Sequence, residues 1–532
     1  MMRAPRVDVE RQGHTEDKQI GDPHILAQTD TDTTDDSAHS SLQHDIPPTP
    51  VLLQGRLARW NDKIEGLAGL EARGITRVTS DEKHAAGIRQ YLQMVALWFS
   101  MNLTSANIIT GLLGRLLFSL GWIDAVCIAI FATGLAACSV SYVSTFGPAS
   151  GNRTMILGRY FMGYWPSKLA CILNIILQIG WGIIGCIIAG QMFSAINGKG
   201  LTIAVGCVIA ALLIGCIATF GIAYVHLVER YAWIPQLLAI LVLVGKSAPH
   251  YNTSATFIGE PGTLTASRCS FFALIFASVI GFSAVSADFY VYYPTTTPAR
   301  LTFSLTWTGI WVGAMFCNIV GIAIATGVES NPTWESAYSI SSGALLLECY
   351  SGLGGFGSFC LVILALTSVT NNAPCTYAGA LTIQVLGRYA KAVPRWVWCV
   401  IITLVELICS VAGRNHLYNI FENFLPIMSY WVVPWVTIVV EEHLIFHKLR
   451  GVPFDWSAWE DKRRLPIGGA ALVAWLVGWA GAIIGMSQVW YTGPVAMKVG
   501  GHGGDIGAWL AIAFAGSVFP PLRYWELKVV GR

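Results

Sequence analysis

Long apolar stretches recur along the chain from about residue 90 to its end, separated by short polar segments. About 20 apolar residues are enough for an α-helix to cross the ~30 Å hydrocarbon core of a bilayer. The pattern therefore predicts twelve transmembrane helices, which we number as spans 1 to 12. Their predicted positions are 90–117, 123–146, 168–195, 200–223, 231–249, 269–292, 303–327, 352–386, 396–413, 415–440, 466–487 and 506–522.

The residues before span 1 have a different character. Residues 1–60 are rich in Asp, Thr, Gln, His and Pro and show no apolar periodicity, which is typical of a disordered tail. Residues 61–89 are a polar approach segment that leads into span 1. The sequence therefore predicts three parts: a disordered tail (1–60), an approach segment (61–89) and a twelve-helix membrane domain (90–530).

The charge content supports the membrane assignment. Charged residues make up 12% of the chain and hydrophobic residues 54%, whereas soluble domains carry about 25% charged residues. The first 90 residues hold 26 of the 64 charged side chains, which leaves 38 for the remaining 442 positions. This deficit predicts an all-α integral membrane protein and excludes a water-soluble enzyme of this size.

Other partners and cofactors are not indicated. The net charge is +2 and no basic block occurs, so nucleic acid is not an expected partner. The 13 cysteines lie mostly inside apolar runs and lack the spacing of zinc ligands. We therefore expect no metal, no cofactor and no disulfide framework.

The distribution of Lys and Arg predicts the orientation. With a cytoplasmic N-terminus, the inner loops and the C-terminal tail carry 16 of these residues and the outer loops carry 6. Short cytoplasmic loops are enriched in positive charge. Both termini are therefore predicted to be cytoplasmic.

Spans 1 and 6 contain clusters of small polar residues, at Ser100–Asn107 and Gly281–Asp288. Polar groups at mid-membrane depth are costly unless they face protein, water or a ligand, so such clusters indicate broken helices around a cavity. Spans 1 and 6 are five apart, which favours a five-plus-five inverted repeat followed by two C-terminal helices. Ordinary packing through small residues is the alternative interpretation.

Spans 3 and 8 also carry polar groups. Asn174, Gln178 and Trp181 share one face of span 3, and Asn371–Pro374 places two amides before a proline in span 8. Polar segments in spans 1, 3, 6 and 8 predict one binding cavity, which favours a transporter. A membrane-embedded transferase or hydrolase would need a catalytic constellation, and none of the 11 histidines lies mid-span. A transporter-derived nutrient sensor remains an alternative.

At these segments the chain resembles the purine-cytosine permease branch of the nucleobase-cation-symport-1 family, in its fungal form. The resemblance implies twelve helices, with ten in the inverted repeat, and proton-coupled import of a nucleobase across the plasma membrane. The stretches that carry it are Leu97–Thr104, Thr145–Arg153, His226–Pro235, Asn371–Tyr377, Leu465–Pro494 and Pro520–Lys528.

The resemblance also implies a set of substrate-binding positions. At Gly185 and Cys375 the family usually has an amide, and at Phe282 it usually has Trp. A lost hydrogen bond in a dry site costs about 1–3 kcal/mol, so another flat heterocycle, such as the pyridine of vitamin B6, is the alternative substrate. The positions are Ser100, Asn102, Trp181, Gly185, Phe282, Asn371, Asn372 and Cys375.

Intramembrane acids are the candidates for binding a transported proton. Asp288 and Glu229 lie in stretches similar to the family and are predicted to serve proton coupling or gating, with salt bridges that hold loops as the alternative. Glu422 in span 10 and Glu406 in span 9 are further candidates, and Glu406 is the acid that lies well inside a span. It is given little weight, because span 9 is not one of the four spans with polar segments.

Overall fold

The computed structural model describes residues 74–197, 200–220 and 222–532, with the side chains of all of these except 222–230. The predicted tail and residues 61–73 lie outside this part of the chain. Residues Ser487–Gln488 (β1) and Tyr491–Thr492 (β2) form a small antiparallel hairpin. In chain order the α-helices are α1 (Ile88–Asn102), α2 (Ser105–Leu116), α3 (Trp122–Ser144), α4 (Phe146–Ser150), α5 (Thr154–Met162), α6 (Ser167–Asn197), α7 (Ile203–Phe220), α8 (Ile222–Ser247), α9 (Leu264–Ile280), α10 (Ala299–Val328), α11 (Pro332–Ile340), α12 (Ser342–Glu348), α13 (Gly355–Val385), α14 (Arg388–Ala392), α15 (Arg395–Gly413), α16 (Leu417–Glu441), α17 (Gly469–Gly485) and α18 (Gly507–Val530).

The helices confirm the all-α membrane class. In the part of the chain that the structure describes, nine helices are long and apolar enough to cross a membrane, and α1 with α2 makes a tenth. Predicted spans 11 and 12 coincide with helices α17 and α18. Because α17 has only 17 residues and α18 is not among the nine, the count of twelve spans stays a prediction.

Two helices change direction or type where polar clusters were predicted. Between α1 and α2 the axis bends by 50° across Leu103 and Thr104. The α-helical hydrogen bonding of α9 ends at Ile280, and the chain continues as two 3₁₀ turns, Gly281–Ala284 and Ser286–Tyr290. Both clusters are therefore places where a regular helix stops.

The helices that matter for the site form two groups. In the first group, α10 packs along α1, α2 and α3, and α9 packs on α3. In the second group, α6 packs along α13, and α7 packs on α6, α13 and α15. Residues from both groups line the cavity described below.

Glycines bring backbones of the first group into direct contact. A Cβ atom at Gly321 of α10 would lie 1.9 Å from the carbonyl oxygen of Ile108, and one at Gly111 of α2 would lie 2.1 Å from that of Asn318. Small residues permit this close approach, which is a main source of helix association in lipid. The sequence of α10 therefore fixes it against the broken helix.

Two short helices between spans 2 and 3, α4 and α5, were not predicted. Every residue of α5 is buried. Arg159, which was counted as a loop charge, is 3% exposed and donates to the carbonyl oxygens of Trp459 at 2.9 Å and Val385 at 3.1 Å. This loop is therefore part of the folded core at that end of the helices.

Gly321→Ala tests the packing of α10 on α2. The added methyl group must displace backbone, so we expect a loss of about 1–3 kcal/mol in the free energy of unfolding, as for overpacked cores. Thermal unfolding of the purified protein in detergent measures it. Gly245→Ala is the control, because no heavy atom lies within 4 Å of its Cβ position. Equal melting temperatures for the two variants would contradict the close contact.

Candidate functional site

A cavity of about 40 Å³ lies where both helix groups meet. Seven of the eight predicted binding residues line it, and the exception is Ser100, which is buried in the last turn of α1 and is not in the cavity wall. The structure thus brings spans 1, 3, 6 and 8 together, while the role of each residue stays a prediction. The lining residues are Met101, Asn102, Thr104, Ala106, Asn107, Trp181, Gly185, Ile188, Ser278, Phe282, Ser368, Asn371, Asn372 and Cys375.

The break between α1 and α2 forms one wall, and side chains stabilise it. The Asn107 amide donates to the carbonyl oxygen of Asn102 at 2.7 Å, and the Thr104 hydroxyl accepts from the backbone N–H of Asn107 at 3.2 Å. The Asn102 amide donates to the carbonyl oxygen of Trp98 at 2.9 Å. The first two bonds satisfy the carbonyl oxygen of Asn102 and the N–H group of Asn107, which the interrupted helix leaves without helical partners.

Asn107 and Thr104 were not among the predicted site residues, although both belong to the polar cluster of span 1. Thr104 itself contains the missing signal, because Thr is a favoured N-cap residue whose hydroxyl accepts from a backbone N–H two or three residues later. The same residues that restart the helix also present polar atoms to the cavity.

The opposite wall contains a close contact between α6 and α13. A Cβ atom at Gly185 would lie 2.0 Å from Nδ2 of Asn372, which donates to the carbonyl oxygen of Ser368 at 2.7 Å. From the sequence, Gly185 is interpreted as a position where an amide side chain of the family is missing. The amide of Asn372 occupies the space that a side chain at residue 185 would take, so an amide is present there but comes from the other helix.

Asn371 is the polar side chain of the cavity with the most unused hydrogen-bonding capacity. It is 8% exposed, and neither its Nδ2 nor its Oδ1 has a hydrogen-bond partner among the described residues. An unpaired buried polar group costs about 1–3 kcal/mol. Asn371 therefore offers a ligand one donor and one acceptor that the protein itself does not use.

Aromatic side chains border the cavity on both helix groups. Trp181 of α6 lies against the start of the 3₁₀ turn, with Nε1 3.6 Å from the Cβ position of Gly281. Phe282 in that turn packs edge-on to Trp98, with ring centroids 6.1 Å apart and an interplanar angle of 86°. Edge-on packing is a favoured geometry that fixes the Phe282 ring.

Asp288, one of the two predicted coupling residues, lies outside the cavity wall. Asp288 is 8% exposed, and its Oδ1 accepts from the backbone N–H of Thr154 at 2.6 Å and from its hydroxyl at 2.7 Å. It thus joins the second 3₁₀ turn to the first residue of α5 and is not part of the cavity wall. The side chain of Glu229 lies outside the described residues, and a coupling or gating role of either residue stays a prediction.

A family model described as permease for cytosine/purines, uracil, thiamine, allantoin matches residues 78–507. The chain belongs to this permease family. The prediction from the sequence is therefore confirmed: the protein is a membrane permease and not an enzyme.

Two fungal permeases and one solved structure show how far the similarity extends. The vitamin B6 transporter TPN1 of Saccharomyces cerevisiae is 32% identical, with 89% of this chain and 90% of that protein covered. The purine-cytosine permease fcyB of Emericella nidulans is 34% identical, over 88% and 92% of the two chains. The structure of MHP1, a nucleobase-cation-symport-1 family transporter with bromovinylhydantoin bound, is 15% identical, covers 86% of this permease and 95% of its own chain, and superposes with a TM-score of 0.63. The permease therefore shares that transporter's fold.

The contact between Gly185 and Asn372 predicts a coupled effect on stability. Gly185→Ala should displace the Asn372 side chain and lower the free energy of unfolding by about 1–3 kcal/mol. Asn372→Ala in the same chain should restore most of that loss, because the two positions share one space. Thermal unfolding of the single and double variants measures the coupling.

Gly158→Ala is the matched control for this cycle, since Gly158 is a buried helical glycine whose Cβ position has its nearest neighbours at 3.7 Å. We expect it to unfold close to the wild-type temperature. Additive losses in the double variant would show that the two side chains do not compete for the same volume.

Proposed function

We propose that this permease is a plasma-membrane secondary transporter that imports a small flat heterocycle of the nucleobase type together with a proton. The observation that carries the proposal is the cavity between the two helix groups, with Trp181 and Phe282 at its border and the unpaired amide of Asn371 in its wall. The substrate named for fcyB supports the nucleobase class.

The chemistry of the cavity fits a planar ring with a polar edge. The face of Trp181 can stack on such a ring, and aromatic pairs contribute about 0.5–1.5 kcal/mol beyond their buried area. The amide of Asn371 provides a donor and an acceptor side by side, which matches the edge of a nucleobase. Trp181 of α6 and Phe282 of the 3₁₀ turn would thus recognise the flat shape of the substrate, and Asn371 of α13 would recognise its polar edge.

A vitamin B6-type pyridine is the second candidate substrate. The observation in its favour is Cys375, a thiol that lines the cavity where the family usually has an amide. A pyridine has a single ring nitrogen, so its ring offers fewer hydrogen-bonding atoms than a purine ring, and TPN1 is named for this substrate.

Alternating access is part of the proposal. A cavity of about 40 Å³ holds a few water molecules at most, so a heterocycle can enter only when lining residues move apart. The cavity lies between the two helix groups, so a relative displacement of these groups would open it. The alternative of a nutrient sensor lacks a supporting observation.

The finer architecture is proposed on the same basis. We infer twelve spans, of which the first ten form the five-plus-five inverted repeat, with α17 and α18 as the two additional helices. The bend between α1 and α2 and the end of α9 at Ile280 support broken helices in spans 1 and 6. The excess of Lys and Arg in the predicted inner loops supports cytoplasmic termini, including the tail 1–60 and the segment 61–89.

Uptake in yeast cells that lack their own nucleobase and vitamin B6 permeases tests the function. Radiolabelled cytosine, adenine, hypoxanthine and pyridoxine are compared at an acidic and a near-neutral external pH. We expect saturable accumulation of one class, stronger at acidic pH and abolished by a protonophore. A protein that reaches the cell surface and imports none of the four would refute the proposal.

Trp181→Ala tests the stacking role. Loss of about 1 kcal/mol of stacking raises the KM of the imported heterocycle about fivefold, with surface abundance unchanged. Trp490→Ala is the control, because Trp490 is 63% exposed in the β-hairpin and does not line the cavity. Unchanged KM in Trp181→Ala would remove the stacking assignment.

A further inference from the structure

Glu406 of α15 is a carboxylic acid at the centre of the second helix group. Its side chain is fully buried, at 0% exposure. The Thr376 hydroxyl lies 3.0 Å from each of its two carboxyl oxygens and donates to them. A Cβ atom at Gly182 would lie 2.1 Å from Oε1, so the carboxyl group also rests on the backbone of α6.

These contacts place Glu406 directly behind the cavity wall. Gly182 is one helical turn before Gly185 on α6, and Thr376 is one turn after Asn372 on α13. Both Gly185 and Asn372 line the cavity. The low weight given to Glu406 from the sequence rested on span 9 being remote from the site, whereas in the structure this residue touches two of the four helices that form it.

Among the described residues, no basic side chain forms an ion pair with Glu406. Arg395, the basic residue of α15, lies in its first turn and donates to the carbonyl oxygens of Ala218 and Thr219. The sequences of α7 and α13 contain no charged residue, and α6 has only Lys168, in its first turn. The titratable groups that face the carboxyl group are two thiols, Cys186 of α6 and Cys375 of α13. Among the described residues, Thr376 is its hydrogen-bond partner.

A carboxylate in this place is expensive unless a cation or several donors offset its lost hydration. One hydroxyl group is weak compensation, and a proton on the carboxyl group removes the charge altogether. Glu406 is therefore a residue that can hold a proton in the closed arrangement and release it when water reaches it. Glu422, by contrast, is half-buried near the start of α16 and lines a different cavity, together with Ser487 and Asp505.

We propose that Glu406 carries the co-transported proton, from behind the substrate cavity and without contacting the substrate. The proposal rests on the proton symport of the proposed function. One proton from the outer solution forms an O–H bond on the carboxylate, and the same proton passes to water at the inner face when the carboxylate is restored. No other reactant takes part.

Thr376 links the protonation state of Glu406 to the wall of the substrate cavity. It donates to the carboxylate in the deprotonated state, and a protonated carboxyl group brings its own donor to the same contact. The hydrogen bonding of Thr376 therefore differs between the two states. Because Asn372 lies one turn away on the same helix, the protonation state of Glu406 is transmitted to the cavity through α13.

Glu406→Gln tests the proposal, because glutamine keeps the shape and an acceptor for Thr376 but cannot bind a proton at this position. Two assays of the heterocycle imported by the wild type are compared in yeast cells. The first is accumulation driven by an acidic exterior, and the second is exchange of labelled for unlabelled substrate without a pH gradient. We expect exchange to persist, while accumulation falls to the level of protonophore-treated wild type and its pH dependence disappears.

Glu422→Gln is the matched control and should keep wild-type accumulation. Glu406→Asp retains a titrating group about one methylene shorter, so its accumulation should persist with a shifted pH profile. If Glu406→Gln does not reach the surface, this aspartate variant decides: an unchanged pH profile overturns the proposal, and a shifted one supports it.

The possible failures are distinguishable. Accumulation in Glu406→Gln with the wild-type pH profile overturns the role of Glu406 but leaves the transporter assignment intact. Loss of exchange together with accumulation, at normal surface abundance, assigns Glu406 a structural role and also overturns the proposal. A wild-type protein that accumulates no heterocycle refutes the proposed function, and the role of Glu406 with it.

Discussion

Backbone groups that leave a helix inside a membrane must find partners within the protein, and this requirement governs the site. The helix of span 1 stops at Asn102 because Asn107 and Thr104 supply the hydrogen bonds that the next helical turn would have supplied. In hydrocarbon, no water could do so. These two side chains stabilise the break between α1 and α2 by hydrogen-bonding its free backbone groups. A break without such partners would destabilise the helix, so the cavity depends on them.

The same requirement explains why polar residues of the cavity differ in their roles. Asn102 and Asn107 use their amides on backbone atoms, and Asn372 uses its N–H group on Ser368. Asn371 alone among these four asparagines keeps both amide atoms unpaired within the described part of the chain. The site therefore separates side chains that hold the wall in shape from one that remains available to a ligand.

The sequence predicted the long apolar helices and seven of the residues that line the cavity, because each of these predictions rests on a local pattern. Apolar runs of about 20 residues predict spans, and polar clusters inside them predict breaks. Relations between distant residues were not predictable in this way. Asn372 fills the space beside Gly185, and Glu406 contacts Gly182, because of the way α6, α13 and α15 pack together. The spacing of residues along the chain does not predict that packing. The buried helix α5 was missed for a similar reason, since Arg159 is typical of a solvated loop until its carbonyl partners are known.

Glycine contacts also determine which helices can move independently. Backbone meets backbone where Gly321 and Gly111 join α10 to α2, and again where Gly206 of α7 lies 2.6 Å, measured from its Cβ position, from the carbonyl oxygen of Gly190 in α6. At the cavity the neighbours of the glycines are side chains, Asn372 at Gly185 and Trp181 at Gly281, and a side chain can change rotamer without breaking a helix. A ligand that enters the cavity would therefore displace side chains such as Trp181 and Asn372 more readily than it would separate α10 from α2 or α7 from α6.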